Sequence, residues 1–295
     1  MPEPIGLQAG PLRAALRPDL GGCVAGLWWQ GEPVLRSAAD PAALDQVRGS
    51  AVYPLAPYSN RIGSGRFRWG GQAYTTRPNF GDSAHSIHGI GWQRAWQVAS
   101  ASATEAVLTL RHAPDADWPF ALAVTQRITL HDDRLAMSLT AESLDERLQP
   151  VGLGWHPFFP RRPGSRVRFA ATRRWDPDAS ELPVCATPVD GVDAAVAELN
   201  HDHCFDGWPG EAWVEDERFS RRLTSSCRRL VLFTPPRLPH FCVEPVSHVS
   251  NALQAAEPLA QGIVALAPGA RTEAWWRLQI TRPTATEPTG RPDTP

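Results

Sequence analysis

All 29 basic residues of this chain are arginine; lysine is absent. Without lysine there is no Schiff-base amine and no Walker-type phosphate loop, both of which need one. The five cysteines, Cys23, Cys185, Cys204, Cys227 and Cys242, are odd in number and widely spaced, with no Cys-x-x-Cys pair. That argues against a zinc ribbon or a disulfide framework and fits a reducing compartment. No apolar run reaches about 18 residues, the usual minimum for a membrane span, and the N-terminus has no basic-then-apolar leader. The expectation is a cytoplasmic protein with no membrane partner. The formal charge of -2 offers no strong field to nucleic acid. A Gly-x-Ser-x-Gly elbow is missing, which leaves Ser-His-Asp catalysis without support.

Helical periodicity over 12 or more residues is also missing. Short, partly alternating apolar runs recur instead, with turn residues every dozen positions or so. Gly70-Gly71 separates residues 66–69 from 72–75, and Asp132-Asp133 separates 122–130 from 135–140; both patterns predict hairpins. Residues 192–199 are the best helix candidate. The pattern predicts an all-β fold, a single large antiparallel β-sandwich spanning 1–282. A tail rich in Pro and Thr at 283–295 is expected to be disordered.

Five polar clusters lie beside Gly, Pro or aromatic residues: Asn60 with Arg61, His85 with His88, His156, Asp202 to Phe205, and Glu244. Their setting suggests a site assembled from strand ends and loops on one rim of a sandwich. Pro245 cannot donate to a ladder, so the strand carrying Glu244 is expected to stop there. A carboxylate among Phe241, Val243 and Pro245 has its charged form disfavoured, which suits a base; the alternative is a structural Glu held by backbone donors or an Arg. His156 sits among Trp155, Pro157, Phe158 and Phe159, an apolar setting that fits either a hydrogen-bonded core residue or a proton donor. His85 and His88 lack the Glu of a zinc-protease motif. His201, His203 and Cys204 offer metal-ligand types at a tight spacing, the basis of a metal-enzyme alternative. Arg61 is expected to be buried beside Tyr58, either structural or forked onto a ligand oxygen. Some of the twelve tryptophans could line a sugar site, though most must be core.

Taken in order, Asn60-Arg61-Ile62, Ile87-His88-Gly89, Trp155-His156-Pro157-Phe158-Phe159, Asp202-His203-Cys204-Phe205 and Val243-Glu244-Pro245 resemble the motifs of the aldose 1-epimerase (galactose mutarotase) family. Each motif is weak alone; all five in order, over about residues 20–280, are specific. The resemblance implies a β-supersandwich and the interconversion of α and β anomers of an aldohexose, without cofactor or metal. It implies Glu244 as general base, His156 as general acid and His88 as its helper. Arg61 and Asp202 are implied as sugar ligands, with Asn60 at a neighbouring position. The implied partner is a small sugar, and a monomer or homodimer is expected. Departures from the family pattern are Ile90 after His88-Gly89, where a second glycine is common, and Pro157 after the acid His. The His-Gly-x-Gly-Trp version is similar to a hexose-6-phosphate branch, for which Arg36, Arg66, Arg68, Arg77 or Arg94 could hold phosphate. A sugar-binding module that has lost turnover is the remaining alternative.

Overall fold

The computed structural model describes residues 3–282; the expected tail at 283–295 lies outside them. Two large antiparallel sheets dominate. The larger has eleven strands. Its path runs Ile5–Ala9, Leu12–Arg17, Cys23–Trp29, Val52–Leu55, Gly154–Pro160, His240–Val246, Arg229–Phe233, Asp202–Asp206, Arg173–Pro177 and Pro183–Pro188, with Glu32–Pro33 paired to the side of Cys23–Trp29. The second has nine strands, from Gln97–Ala101 through Glu105–His112, Leu122–His131, Arg134–Ser143, Arg271–Thr281, Ser220–Ser225, Glu211–Glu215 and Arg166–Phe169 to Val192–Ala195. Both predicted hairpins form, Arg66–Trp69 with Gln72–Thr75 and Leu122–His131 with Arg134–Ser143. No helix among the described residues is long and apolar enough to cross a membrane.

Period-two alternation explains how the sheets pack. Trp155, Phe159, Phe241, Val243, Leu230, Leu232 and Phe205 point from the larger sheet into one core cluster. They meet Val124, Ile128, Leu135, Met137, Leu139, Trp276 and Leu278 of the smaller sheet. Trp155 and Trp276 meet across the interface with ring centroids 6.3 Å apart. Each such fully buried large side chain contributes about 1.5–3 kcal/mol relative to exposure. The intervening residues of the same strands, Tyr53, Phe158, Val231, Cys242 and Val246, form a second apolar cluster on the opposite face of the larger sheet.

Two local expectations are corrected. The 192–199 segment is not a helix: Val192–Ala195 is an edge strand paired with Arg166–Phe169, followed by a 3-10 turn at Val196–Glu198. Ladder hydrogen bonds to that neighbour outweigh the weak helix propensity of an Ala-containing run. The Glu244 strand does not stop at Pro245 either; it continues to Val246, with Pro245 opposite Leu230.

Proline acts on the other side of that strand. The pairing of Gly154–Pro160 with His240–Val246 joins Gly154 to Val246 and Phe158 to Cys242 but skips the residues between. Pro157 and Pro245 lie in the skipped stretch, and neither has an N–H to donate. The ladder therefore opens around His156 and Glu244, near the middle of the sheet.

Candidate active site

His156 and Glu244 project from the open stretch of ladder onto the outer face of the larger sheet. His156 Nε2 lies 3.3 Å from Glu244 Oε1. Both residues are buried, Glu244 to 2 % exposure. His156 is clamped between aromatic neighbours, with Phe158 stacked at 4.4 Å and Tyr53 tilted against it at 4.8 Å between centroids. Its Nδ1 is buried without a hydrogen-bond partner.

Burial pushes the Glu244 carboxyl well above its usual range; nearby Asp202 adds to the rise and Arg61 opposes it. Burial likewise holds the His156 imidazole well below its usual value, helped by His88 and Arg36. Both directions have one cause, the cost of placing charge in a poorly hydrated pocket. Both shifts favour the uncharged form of the pair, a carboxylic acid beside a neutral imidazole. It holds as many protons as a carboxylate beside an imidazolium, so a bound polar ligand can interconvert the two forms without exchange with solvent.

His88 approaches His156 edge-on, with ring centroids 5.3 Å apart. The backbone N–H of Asn60 donates to His88 Nδ1 at 3.0 Å, and the His88 N–H returns a bond to the Asn60 carbonyl at 2.9 Å. In a neutral imidazole, an accepting Nδ1 places the proton on Nε2, so His88 offers an N–H donor to the cleft. Burial, with a smaller contribution from Arg61, pushes its pKa down to about 3. The turn that sets its position depends on Gly89 at φ +67, where a Cβ would lie 2.4 Å from the Ala56 carbonyl oxygen.

Asn60 is a support for its neighbours as well as a lining residue. It holds the left-handed conformation at φ 56, which Asn tolerates better than most residues. Its side-chain oxygen accepts from the Arg61 backbone N–H at 2.9 Å and from Arg61 Nη1 at 3.3 Å. Arg61 is not packed on Tyr58, which lies in the inter-sheet core beside Trp118. It reaches the cleft, where Nη2 donates to Glu181 at 2.8 Å and lies 3.6 Å from Asp202. Asp202, with a side chain 41 % exposed, forms the rim.

All six predicted site residues line one cleft of about 430 Å³, within the usual size range for small-molecule pockets. The cleft lies on a sheet face and is closed by loops, which corrects the expectation of a site at strand ends on a rim. His85 is drawn off to Ser64 and Ser180 instead. His201 and His203 meet with their Nδ1 atoms 3.2 Å apart, but Cys204 does not join them as a third ligand. Consecutive strand residues point to opposite faces, and Cys204 belongs to the outer cluster while His201 packs on Phe205. A different trio has metal-ligand types in reach: one ligand atom each from His156, Cys242 and Glu244 lie within 4.8 Å of one another. Burial and the neighbouring Glu244 push the Cys242 thiol well up, which keeps it protonated and a poor ligand.

The sequence matches the aldose 1-epimerase family over residues 5–279. The chain belongs to the aldose 1-epimerase family. An uncharacterised protein, YphB of Escherichia coli K12, is 27 % identical over 279 residues, covering 89 % of this chain and 93 % of the relative. YihR of the same organism, also uncharacterised, is 33 % identical over 106 residues, about a third of each chain. Among solved structures, a candidate aldose 1-epimerase from E. coli K12 superposes with a TM-score of 0.86 at 26 % identity, covering 95 % of this chain and 99 % of that one. A galactose mutarotase-like protein from Clostridium acetobutylicum shares the fold, with a TM-score of 0.81 at 20 % identity and 95 % coverage of each chain. The cleft also contains Arg36, one of the five arginines offered for phosphate, and groups that the sequence did not single out as its lining: Tyr53, Phe158, Glu181 and His240. Phe158 was within reach, since it stands two residues from His156 on one strand and must share its face. The others arrive from separate strands and loops and leave no local signal.

Proposed function

We propose that the protein is an aldose 1-epimerase that opens and closes an aldohexose ring by acid-base catalysis. The observation that carries this reading is the direct 3.3 Å approach of His156 Nε2 to Glu244 Oε1 in a buried, sugar-sized cleft. A hemiacetal placed against this pair meets both groups that its opening needs. Glu244, as carboxylate, takes the proton of the C1 hydroxyl. The C1–O5 bond breaks as the C1–O1 bond becomes a carbonyl, and His156, as imidazolium, delivers a proton to O5. Rotation about C1–C2 presents the other face of the aldehyde. On closure Glu244 returns its proton to O1 and His156 recovers one from O5, so the cycle balances. Each positioned proton-transfer group contributes about 10²–10⁴-fold.

The neutral His88 adds an Nε2–H donor beside His156, suited to hold a ring or hydroxyl oxygen. Arg61 and Asp202 suit paired sugar hydroxyls, one donating and one accepting. Tyr53 and Phe158 hold the acid in one orientation. Magnetisation-transfer NMR on galactose and glucose tests the reading. Purified protein should accelerate α/β exchange above the spontaneous rate, and His156→Gln should remove that acceleration. Tryptophan quenching by sugar with no faster exchange would instead mean a binding module.

A further inference from the structure

Charge is divided along the cleft. Glu244, Asp202 and Glu181 gather around Arg61, while Arg36, Arg48 and His240 line the other end. Arg36 is held firmly: Nε and Nη2 donate to the Ser50 carbonyl at 3.0 and 2.8 Å, and Nη2 also donates to the Arg48 carbonyl. Its guanidinium carbon lies 3.6 Å over the Phe158 ring. Nη1 keeps only a 3.4 Å approach to His240 Nδ1. Arg48 lies over Phe80 at 4.6 Å. Among the described residues, the contacts of both arginines are carbonyls, rings and a histidine, with no carboxylate among them. Arg77 and Arg94, in contrast, are neutralised by Asp117 and Asp115. A half-buried cation without a counter-ion carries an unrepaid dehydration cost, and an incoming anion would offset it.

We propose that this end of the cleft binds an anionic group on the exocyclic C6 of the aldose, a phosphate ester or a carboxylate. The assignment rests on reading Glu244 and His156 as the reacting pair. In a pyranose, O5 joins C1 to C5, and C5 carries C6. With C1 at Glu244 and O5 at His156, C6 points past His156, away from Glu244. Phe158 is the next ring along that direction, with His156 stacked on one face and Arg36 on the other. The free Nη1 edge of Arg36, the exposed Arg48 and the His240 ring then meet the anion together. Arg36 also ties residues 48 and 50 in place, but that task uses Nε and Nη2 and leaves Nη1 with only its long approach to His240.

The test compares glucose, glucose 6-phosphate and glucuronate by exchange NMR, with wild type beside Arg36→Gln and Arg48→Gln. Wild type should have at least tenfold higher kcat/KM for one of the anionic sugars than for glucose. The better of the two identifies the anion. Each variant should cut the anionic-to-neutral ratio about tenfold or more, the usual value of a charge-assisted contact. Arg48→Gln retains the carbonyl that Arg36 uses, so it remains informative if Arg36→Gln fails to fold. Glucose preferred by wild type, or a ratio unchanged in Arg48→Gln, overturns the proposal while leaving mutarotation intact. If no sugar is accelerated, calorimetric binding of the same three sugars decides. Arginine-dependent preference for an anionic sugar retains the subsite and removes the mutarotase reading; no preference removes both.

Discussion

Glu244→Gln keeps the shape of the side chain and removes its capacity to take a proton. An amide can still hydrogen-bond across the 3.3 Å gap to His156, so the folding change from that contact should stay within about 1 kcal/mol. The catalytic loss should be far larger. Removing a positioned base costs about 10²–10⁴-fold, or about 3–5.5 kcal/mol of barrier. Two pH signatures accompany it. Only ionised Glu244 can accept a proton, and burial raises its pKa well above 4.5. As pH rises through that raised value the pair loses its one shared proton while His156 stays neutral, so wild-type kcat/KM should fall there, and that limb should vanish in the variant. Stability follows the same direction. A folded pKa above the unfolded one means a stabilising contribution fully present below about 4.5 and lost as pH rises through the folded value. The variant never ionises, so its stability relative to wild type should improve at alkaline pH. Exchange NMR from pH 5 to 9, with background exchange subtracted, and urea melts at each end supply both readouts. A folded variant retaining activity within tenfold of wild type, or keeping the pH limb, refutes the role given to Glu244.

The charges around Glu244 should move that limb in opposite directions. Arg61→Gln removes the group that lowers the Glu244 pKa, so the limb shifts to higher pH; Asp202→Asn removes one that raises it, so the limb shifts down. A kcat/KM profile of each variant checks the signs. His88 and His248 are buried with pKa values pushed down to about 3 and about 4, against about 6.5 when unfolded. Their contribution is complete above about pH 6.5 and is lost as pH falls, at up to about 1.4 kcal/mol per pH unit for each; chemical denaturation from pH 7 to 4 reads the slope. Gly89→Ala should displace the His88 turn, because its Cβ would clash with the Ala56 carbonyl at a φ that alanine avoids. We expect a loss of about 1–3 kcal/mol in stability and a fall in exchange rate, measured by thermal melts and NMR.

Much of the fold was legible because strand periodicity and turn chemistry are local. The 66–75 and 122–143 hairpins follow from Gly70-Gly71 and Asp132-Asp133. The 192–199 segment was misread because its partner, Arg166–Phe169, lies elsewhere in the chain. Pro245 was misread for a related reason. Proline breaks one ladder, but which ladder depends on the neighbour its nitrogen faces.

The sequence by itself determined which chemical groups were available: a carboxylate and imidazoles in apolar company, arginine as the sole basic side chain, and the order of the motifs. It could not determine their distances. His156 and Glu244 are 88 positions apart, and only pairing of their strands brings them to 3.3 Å. The period of two puts them on one face; the long-range register, together with two prolines that leave the ladder open, sets them opposite each other. The protonation of the pair was decided at the same level, because a pKa depends on how much water and which charges surround a group after the chain has closed over it.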